Sequence, residues 1–520
     1  MWISQTLSFF QRLIKIKLII LRLAFDWRTS RPVRFRMFFE QAGGAFLKFG
    51  QILSLRHDFI PPAYANELLN LLSRVEPQPW PALREVFIAE IGAPPEKVFR
   101  QFDNQPIASA SISQVYRAEL PGGEMVAVKI QRPGIREVFE TDFILASFLG
   151  GLLSIFRFFD SFQIQDIVSE FISATRRELD FREELNNSLA LLAHSSEHPQ
   201  TIIPKCYSEL STERVLVSEY MSEILSVETV LERLAVNPGY AVELKERQRI
   251  NLEDLAYYFV FDIMRQYFID GFFHADPHPA NLFFAPDNHL GYFDFGIIGR
   301  AGKNRLDLLR IIYGIAKRDL NFSSRHFLRF AKSAIAKEME LFKQKDRATY
   351  DRYVKVLEKL EEIMTDNLHA DLEKILAPWY QDQASRDYHH LTSSIVISKM
   401  ILRARDYSIY LPREIIMFFR ALIISDMVAL RLAPNFDIMK ALNRFFDRYP
   451  LGVAEELITA RVHEAKLEET VDASAHLSFE ELLAQKEAEQ EELSLAKERL
   501  INLIAAYAED YQEVRQLLKT

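Results

Sequence analysis

The sequence predicts an α+β protein in two lobes, with a helical extension at its N-terminal end. Three observations carry this. Residues 1–90 are patterned as helices, short strand-like runs punctuated by turns begin near residue 98, and beyond Tyr220 the pattern returns mostly to helix. The extension breaks at Pro61-Pro62 and leaves through Pro77, Pro79 and Pro81, a boundary signal because proline cannot continue a helix. The run Val115-Tyr116-Arg117-Ala118-Glu119, the turn Pro121-Gly122-Gly123 and the run Met125-Val126-Ala127-Val128-Lys129-Ile130 read as a hairpin by turn chemistry and alternation. A long helix is expected from about residue 163 to 193, with strand candidates at 201–203 and 214–218, and further strands with a loop around 272–284 and 292–295. The expected divisions are 1–90, 91–221, 222–450 and a helical tail over 451–520. In that tail Glu480 to Arg499 carries seven acidic and three basic residues, a solvated face by default.

Bulk properties narrow the class. With 49% hydrophobic and 26% charged residues the chain is an ordinary globular one, and at 520 residues it should pack two or three units. Cys206 is the single cysteine, so an internal disulfide is excluded and a cysteine-built zinc site has no ligands. The net charge of −9 is unevenly spread: Arg12, Lys15, Lys17, Arg22, Arg28, Arg31, Arg34 and Arg36 face only Asp26 in residues 1–36, making that segment +7 and the remainder −16. Leu18, Ile19, Ile20, Leu21, Leu23 and Phe25 lie among those cations. This is the composition of a helix resting on an anionic lipid surface, or of one docked on its own fold. Lys15 and Lys17 interrupt the apolar run and no small-residue cleavage site follows, so a signal peptide is not expected. Phe143 to Phe156 is too short to span a bilayer, and Ile415 to Leu432 is broken by Arg420, Asp426 and Arg431; both read as buried helices.

Three motifs carry the chemistry. Val126-Ala127-Val128-Lys129 puts a lysine on a strand, where a rigid sheet can aim it at the α- and β-phosphates of a nucleotide. His274-Ala275-Asp276-Pro277-His278-Pro279-Ala280-Asn281 has the spacing with which one loop presents a carboxylate (Asp276) to the reacting group and an amide (Asn281) to a metal ion. Asp294-Phe295-Gly296 follows, giving a second metal ligand in Asp294. A strand lobe of five strands and one helix, a short connector and a helical lobe holding these motifs in this order is the arrangement of a protein kinase. The competing chemistry would use His274, Asp276 and His278 as zinc ligands, but no second His/Asp cluster accompanies them downstream. His274 is instead expected to brace the loop.

The departures from an ordinary kinase are those of one family. Residues 106–114 read Pro-Ile-Ala-Ser-Ala-Ser-Ile-Ser-Gln where a glycine-rich loop should stand, and Cβ atoms there hinder close backbone approach to phosphate. Lys48-Phe49-Gly50-Gln51 lies upstream, followed by Ser54, Arg56, Asp58 and Pro61. Glu178-Leu179-Asp180-Phe181-Arg182-Glu183-Glu184-Leu185-Asn186-Asn187 lies downstream, and no Ala-Pro-Glu segment follows Asp294-Phe295-Gly296. With these residues the chain resembles the UbiB/AarF (ABC1) family of atypical protein-kinase-like proteins over roughly residues 40–440. Ser73-Arg74 departs from the Gln-Asp found in many relatives.

The resemblance implies an atypical two-lobed kinase-like fold in which Ala108, Ser109, Ala110 and Ser111 form an Ala-rich nucleotide loop and Glu184 pairs with Lys129. The connector Val217–Met221 binds adenine through its backbone, with Glu219 and Met221 as contacts. Glu178 and Asp180 reach Lys48 or Gln51 of the extension, and Asp180 and Glu184, four apart, are expected to share a helix face. It also implies ATP and Mg2+ as ligands, with Asn281 and Asp294 on the metal and Asp276 orienting a water or hydroxyl. The implied setting is an ATPase serving ubiquinone or related isoprenoid-quinone biosynthesis, peripheral on the cytoplasmic face of a membrane. Its partners would be quinone intermediates, lipid and other quinone-biosynthesis proteins, and not nucleic acid. Two other readings share the motifs: a nucleotide-binding scaffold without turnover, and a small-molecule or lipid kinase.

Overall fold

The computed structural model describes residues 2–53, 60–68, 71, 76–155, 161–302, 304–327, 347–380, 393–406 and 411–469. Ser54, Arg56, Asp58, Ser73, Arg74, Lys303, the side chain of Gln51 and the acidic run 480–499 lie outside the described residues. The chain divides into two compact units, Met1–Val230 with Pro279–Ile298, and Leu231–His278 with Gly299–Thr520.

In the first unit a sheet of four strands runs in the order β1 (Gln101–Ser109), β2 (Ser113–Glu119), β3 (Met125–Gln131) and β5 (Val215–Glu219), all antiparallel. The fifth strand expected in this lobe, β4 (Thr201–Ile202), leaves it. It pairs in parallel with β9 (His289–Tyr292), in a second sheet completed by β8 (Leu282–Ala285) and β6 (Leu225–Ser226). One face of the first sheet packs Tyr116, Val126, Val128, Ile130, Val215 and Val217 against Leu83, Val86 and Phe87 of the helix Trp80–Ile91. Burying each of the large side chains is worth about 1.5–3 kcal/mol. That helix starts at the proline run, with Pro79 as its cap, and stops at Gly92, whose left-handed φ of 79° is open to glycine at no cost. The prolines therefore mark where the chain joins the sheet.

The extension contributes Trp2–Ala24, Arg31–Ala42, Ala45–Leu53 and Pro62–Leu68, which share a core of Ile16, Ile19, Leu23, Phe39, Phe46 and Leu47 with Leu145. Leu145 lies on the helix Ile135–Ile155, which packs on Ser161–Glu178. A corner of two glycines, Gly43 and Gly44, turns Arg31–Ala42 into Ala45–Leu53; a Cβ at Gly44 would come within 2.5 Å of Asp142 Oδ2. Two expectations need correction. The helix containing Phe143 is only partly buried, because Ile144 and Phe148 are exposed. The long helix expected over 163–193 is two, Ser161–Glu178 and Phe181–Ser195, because Asp180 adopts extended backbone and caps the second by accepting from the Arg182 N–H at 3.1 Å.

The second unit is built on the helix Leu252–Arg265, capped by the Asn251 side chain and buried against Arg413–Leu432 and Ile438–Arg448. Its last turn widens to a π-turn over Gln266–Asp270 before Gly271 ends it, and β7 (Phe272–His274) follows, paired with β10 (Ile298–Arg300). Arg265, 1% exposed, holds Asp262 at 2.8 Å and also pairs with Asp270, which accepts from Arg461 at 3.2 Å. Among the described residues no helix is long and apolar enough to cross a membrane.

Candidate functional site

The alternation of β3 decides where Lys129 points. Val126, Val128 and Ile130 are fully buried on one face, and a period of two sends Lys129 to the other. There the first turn of Phe181–Ser195 presents Glu184, and Lys129 Nζ donates to both of its carboxylate oxygens at 2.8 and 2.7 Å. The ammonium lies 5.2 Å from the Phe181 ring centroid and 3.8 Å from Asp294 Oδ2. Burial alone would depress the Lys129 pKa, but the Asp294 and Glu184 carboxylates outweigh it and hold the ammonium above the ordinary lysine value. For Glu184 the balance goes the other way. Burial raises its carboxyl, and the pull of Lys129 is countered by the like charge of Asp294. The asymmetry follows from the company each keeps: Lys129 feels Asp294, Glu184 and Glu178, whereas Glu184 feels Lys129 together with the like charges of Asp294 and Glu178.

Asp294 is half exposed and sits at φ 56°, a left-handed conformation that aspartate tolerates better than most side chains. Its Oδ1 accepts from the Gly296 N–H at 3.2 Å. Phe295 beside it is buried, and its carbonyl accepts from Asn187 Nδ2 at 2.9 Å, so the helix carrying Glu184 also fixes the Asp294 loop. Asn281 ends a short 3-10 turn, and its carbonyl accepts from the Phe293 N–H at 2.7 Å; the β8–β9 hairpin thus sets Asn281 across from the residue preceding Asp294.

Around this centre, Lys48 on Ala45–Leu53 donates to Glu178 at 2.5 Å. Asp180 does not join it. Its carboxylate is held by Arg182, at 2.6 Å from Nη2, which keeps its pKa below the usual carboxylate range, and it shares no face with Glu184 because it stands outside the helix. Ala108 and Ser109 end β1, and Ala110 and Ser111 make the turn into β2, where the Ala110 N–H donates to the Ser113 carbonyl at 2.9 Å. At the connector, the N–H of Glu219 goes to the Lys205 carbonyl at 2.7 Å and that of Tyr220 to the Met125 carbonyl at 2.9 Å; Met221 follows.

In the second unit His274 is fully buried. Its backbone N–H donates to Gln266 Oε1 at 2.9 Å, and its Nδ1 accepts from the Asp276 N–H at 3.3 Å. The Asp276 carbonyl accepts from the His278 N–H at 2.8 Å, and the carboxylate accepts from Arg420 Nη2 at 2.6 Å. Gln266 is itself fixed by Asp262 at 2.7 Å, so the π-turn and the Arg265 charge cluster steady the loop. Among the described residues no group of three or more His, Cys, Asp or Glu side chains is placed to hold a metal ion, which leaves the zinc arrangement of His274, Asp276 and His278 without support.

Residues 70–326 match the ABC1 atypical kinase-like domain, and an uncharacterised protein of Clostridium pasteurianum is 30% identical over 415 residues, 79% of this chain and 69% of that one. The chain belongs to the ABC1 atypical kinase-like family. Among ABC1 relatives, a Synechocystis protein is 34% identical over 274 residues, covering 52% of this chain and 65% of its own length. A Marinobacter nauticus protein named "Probable protein kinase UbiB" is 33% identical over 299 residues, 56% of this chain and 52% of that one. The chain thus spans between about half and two thirds of these two relatives.

Two arginines of this ABC1 chain had no role assigned to them from the sequence. Arg132, buried behind β3, donates to the Ala110 carbonyl at 2.9 Å and to Ser109 Oγ at 2.7 Å, bracing the Ala-rich turn from beneath. Its sequence signal was the run Gln131-Arg132-Pro133-Gly134 after Lys129, which resembles the family's. Arg420 interrupts the apolar helix Arg413–Leu432, and a cation in such a run demands a partner. That partner is Asp276, whose Oδ1 accepts from Arg420 Nη2.

Proposed function

We propose that this protein is a magnesium-dependent ATPase that works on lipid-linked substrates at a membrane face, in support of ubiquinone or related isoprenoid-quinone biosynthesis. The observation that carries the nucleotide part is the Lys129, Glu184 and Asp294 cluster: an oriented ammonium for the α- and β-phosphates beside a half-exposed carboxylate. The donor set fits the ion. Lys48 and Lys129 face Glu178, Glu184 and Asp294, leaving an anionic excess that oxygen-seeking Mg2+ would neutralise, with Asn281 and Asp294 as its protein ligands. When bound, the ion supplies charge neutralisation on the β- and γ-phosphate oxygens. Lys129 holds the phosphates, Glu184 keeps that ammonium aimed, and Asp276 orients the attacking water. The water oxygen bonds to the γ-phosphorus as the bond to the β–γ bridging oxygen breaks, giving ADP, phosphate and a proton.

The membrane part rests on the first helix. Phe10, Ile14, Leu18 and Leu21, with Phe25 and Trp27 beyond it, are exposed beside Lys15, Lys17 and Arg22, a pattern suited to an anionic bilayer surface. The quinone setting follows from the family resemblance. ATP hydrolysis by the full chain, with and without anionic liposomes and a quinone-precursor mimic, tests the reading against Asp294→Asn. Lipid-stimulated turnover lost in the variant is the expected result. Tight Mg-nucleotide binding without turnover under any condition would replace it with a scaffold, and phosphate appearing on an added metabolite would replace it with a small-molecule kinase.

A further inference from the structure

We infer that Arg420 is a positioning residue for the ATP chemistry: it clasps Asp276 and sets the orientation of that carboxylate. The inference rests on the ATPase reading above. The Asp276 N–H goes to His274 Nδ1, its carbonyl accepts from the His278 N–H, and its Oδ1 accepts from Arg420 Nη2 at 2.6 Å. The first two contacts fix the backbone. The guanidinium bonds the carboxylate itself.

Arg420 is itself rigidly mounted. Ile415, Phe418, Ala421 and Leu422 bury the other side of its helix, and the Phe418 ring stacks on Tyr267 of the π-turn at 4.1 Å. That π-turn also places Gln266 under His274, so both sides of the clasp are braced by the same five residues. Nη2 is directed at the carboxylate to which the reading above gives the attacking water. A monodentate contact suits an acid that must still address a nucleophile, since a bidentate one would cover both oxygens.

The test compares wild type, Arg420→Gln, Arg420→Lys, Asp276→Asn and the Arg420→Gln/Asp276→Asn double variant. Each is measured as full chain by steady-state ATP hydrolysis across pH and by Mg-ATP binding. Arg420→Gln is expected to lower kcat about 10- to 100-fold with KM for ATP within about twofold. Arg420→Lys should restore part of the loss. The double variant should be no slower than Asp276→Asn alone. Full activity in Arg420→Gln, a KM effect equal to the kcat effect, or additive losses would each overturn the assignment while leaving the ATPase reading intact. A wild type that never turns ATP over would overturn that reading, and this inference with it.

Discussion

Two clusters of buried charge show how differently one chain can use the same chemistry. In the second unit Arg265 and Arg461 grip Asp262 and Asp270, with Asp262 and Arg265 sealed from solvent; burial, helped by the like charge of Arg461, brings nearby Arg305 down to about 10. In the first unit Lys129 and Lys48 face three carboxylates, and Asp294 stays half exposed. The first arrangement is closed and pinned by arginine on every acid. The second is open and left anionic. Closed charge clusters hold elements together, whereas an open one with excess charge is poised for a ligand of opposite sign.

The comparison breaks most sharply at Arg265. Arg265→Met would take the buried cation from Asp262 and leave Asp270 with the longer Arg461 contact, and should cost about 3–5 kcal/mol of stability, read by urea unfolding of the full chain. A loss under about 1 kcal/mol would mean that the closed cluster is not what holds the π-turn. Asp294→Asn should do the reverse: ATP turnover falls about 10²- to 10³-fold, while the melting temperature stays level or rises because a like charge near Glu184 is gone. A large fall in melting temperature would place Asp294 in the structural class instead.

Asp426 tests burial without a cation. It is sealed in Arg413–Leu432, accepts from the Ser393 N–H at 2.8 Å, and burial pushes its carboxyl up to about 6. The folded state then binds a proton that the unfolded chain, at the usual 3.8, has released. Stability should fall by about 1–3 kcal/mol as pH rises from 4 through 6, and Asp426→Asn should flatten that slope in thermal melts. The smallest effect is expected for Lys48→Met. Loss of the cation on Glu178 should weaken nucleotide binding about three- to tenfold in a fluorescent-ATP titration and leave the fold intact.

Much of the site was legible because kinase-type chemistry fixes residue type and order along the chain. Lys129, Asp276, Asn281 and Asp294 are readable as motifs, and the β2–β3 hairpin is readable from Pro121-Gly122-Gly123. What depends on long-range pairing was not. The departure of β4 to β9 follows from partners far away in sequence, and two-residue strands carry almost no period. Asp180 and Glu184 are four apart, but Asp180 is itself the cap of the helix that carries Glu184, which cancels the shared face that spacing implies. Arg132 and Arg420 have roles only through what lies across from them. A single cation in an apolar helix announces the need for a partner without naming it.

The Arg12 contacts carry a last consequence. This side chain, from the basic first helix, donates to both oxygens of buried Asp142 at 2.6 and 2.8 Å and to the Ala42 and Gly43 carbonyls, while Asp142 also accepts from the Ala45 N–H at 2.9 Å. The helix is riveted to the segment that carries Lys48. If it meets a bilayer, it does so as a keel already bolted to the hull, its outward apolar row wetting the lipid while Arg12 stays fastened inside. Peeling it away would take the cation from buried Asp142, so the helix and the segment after Gly44 are held to move together.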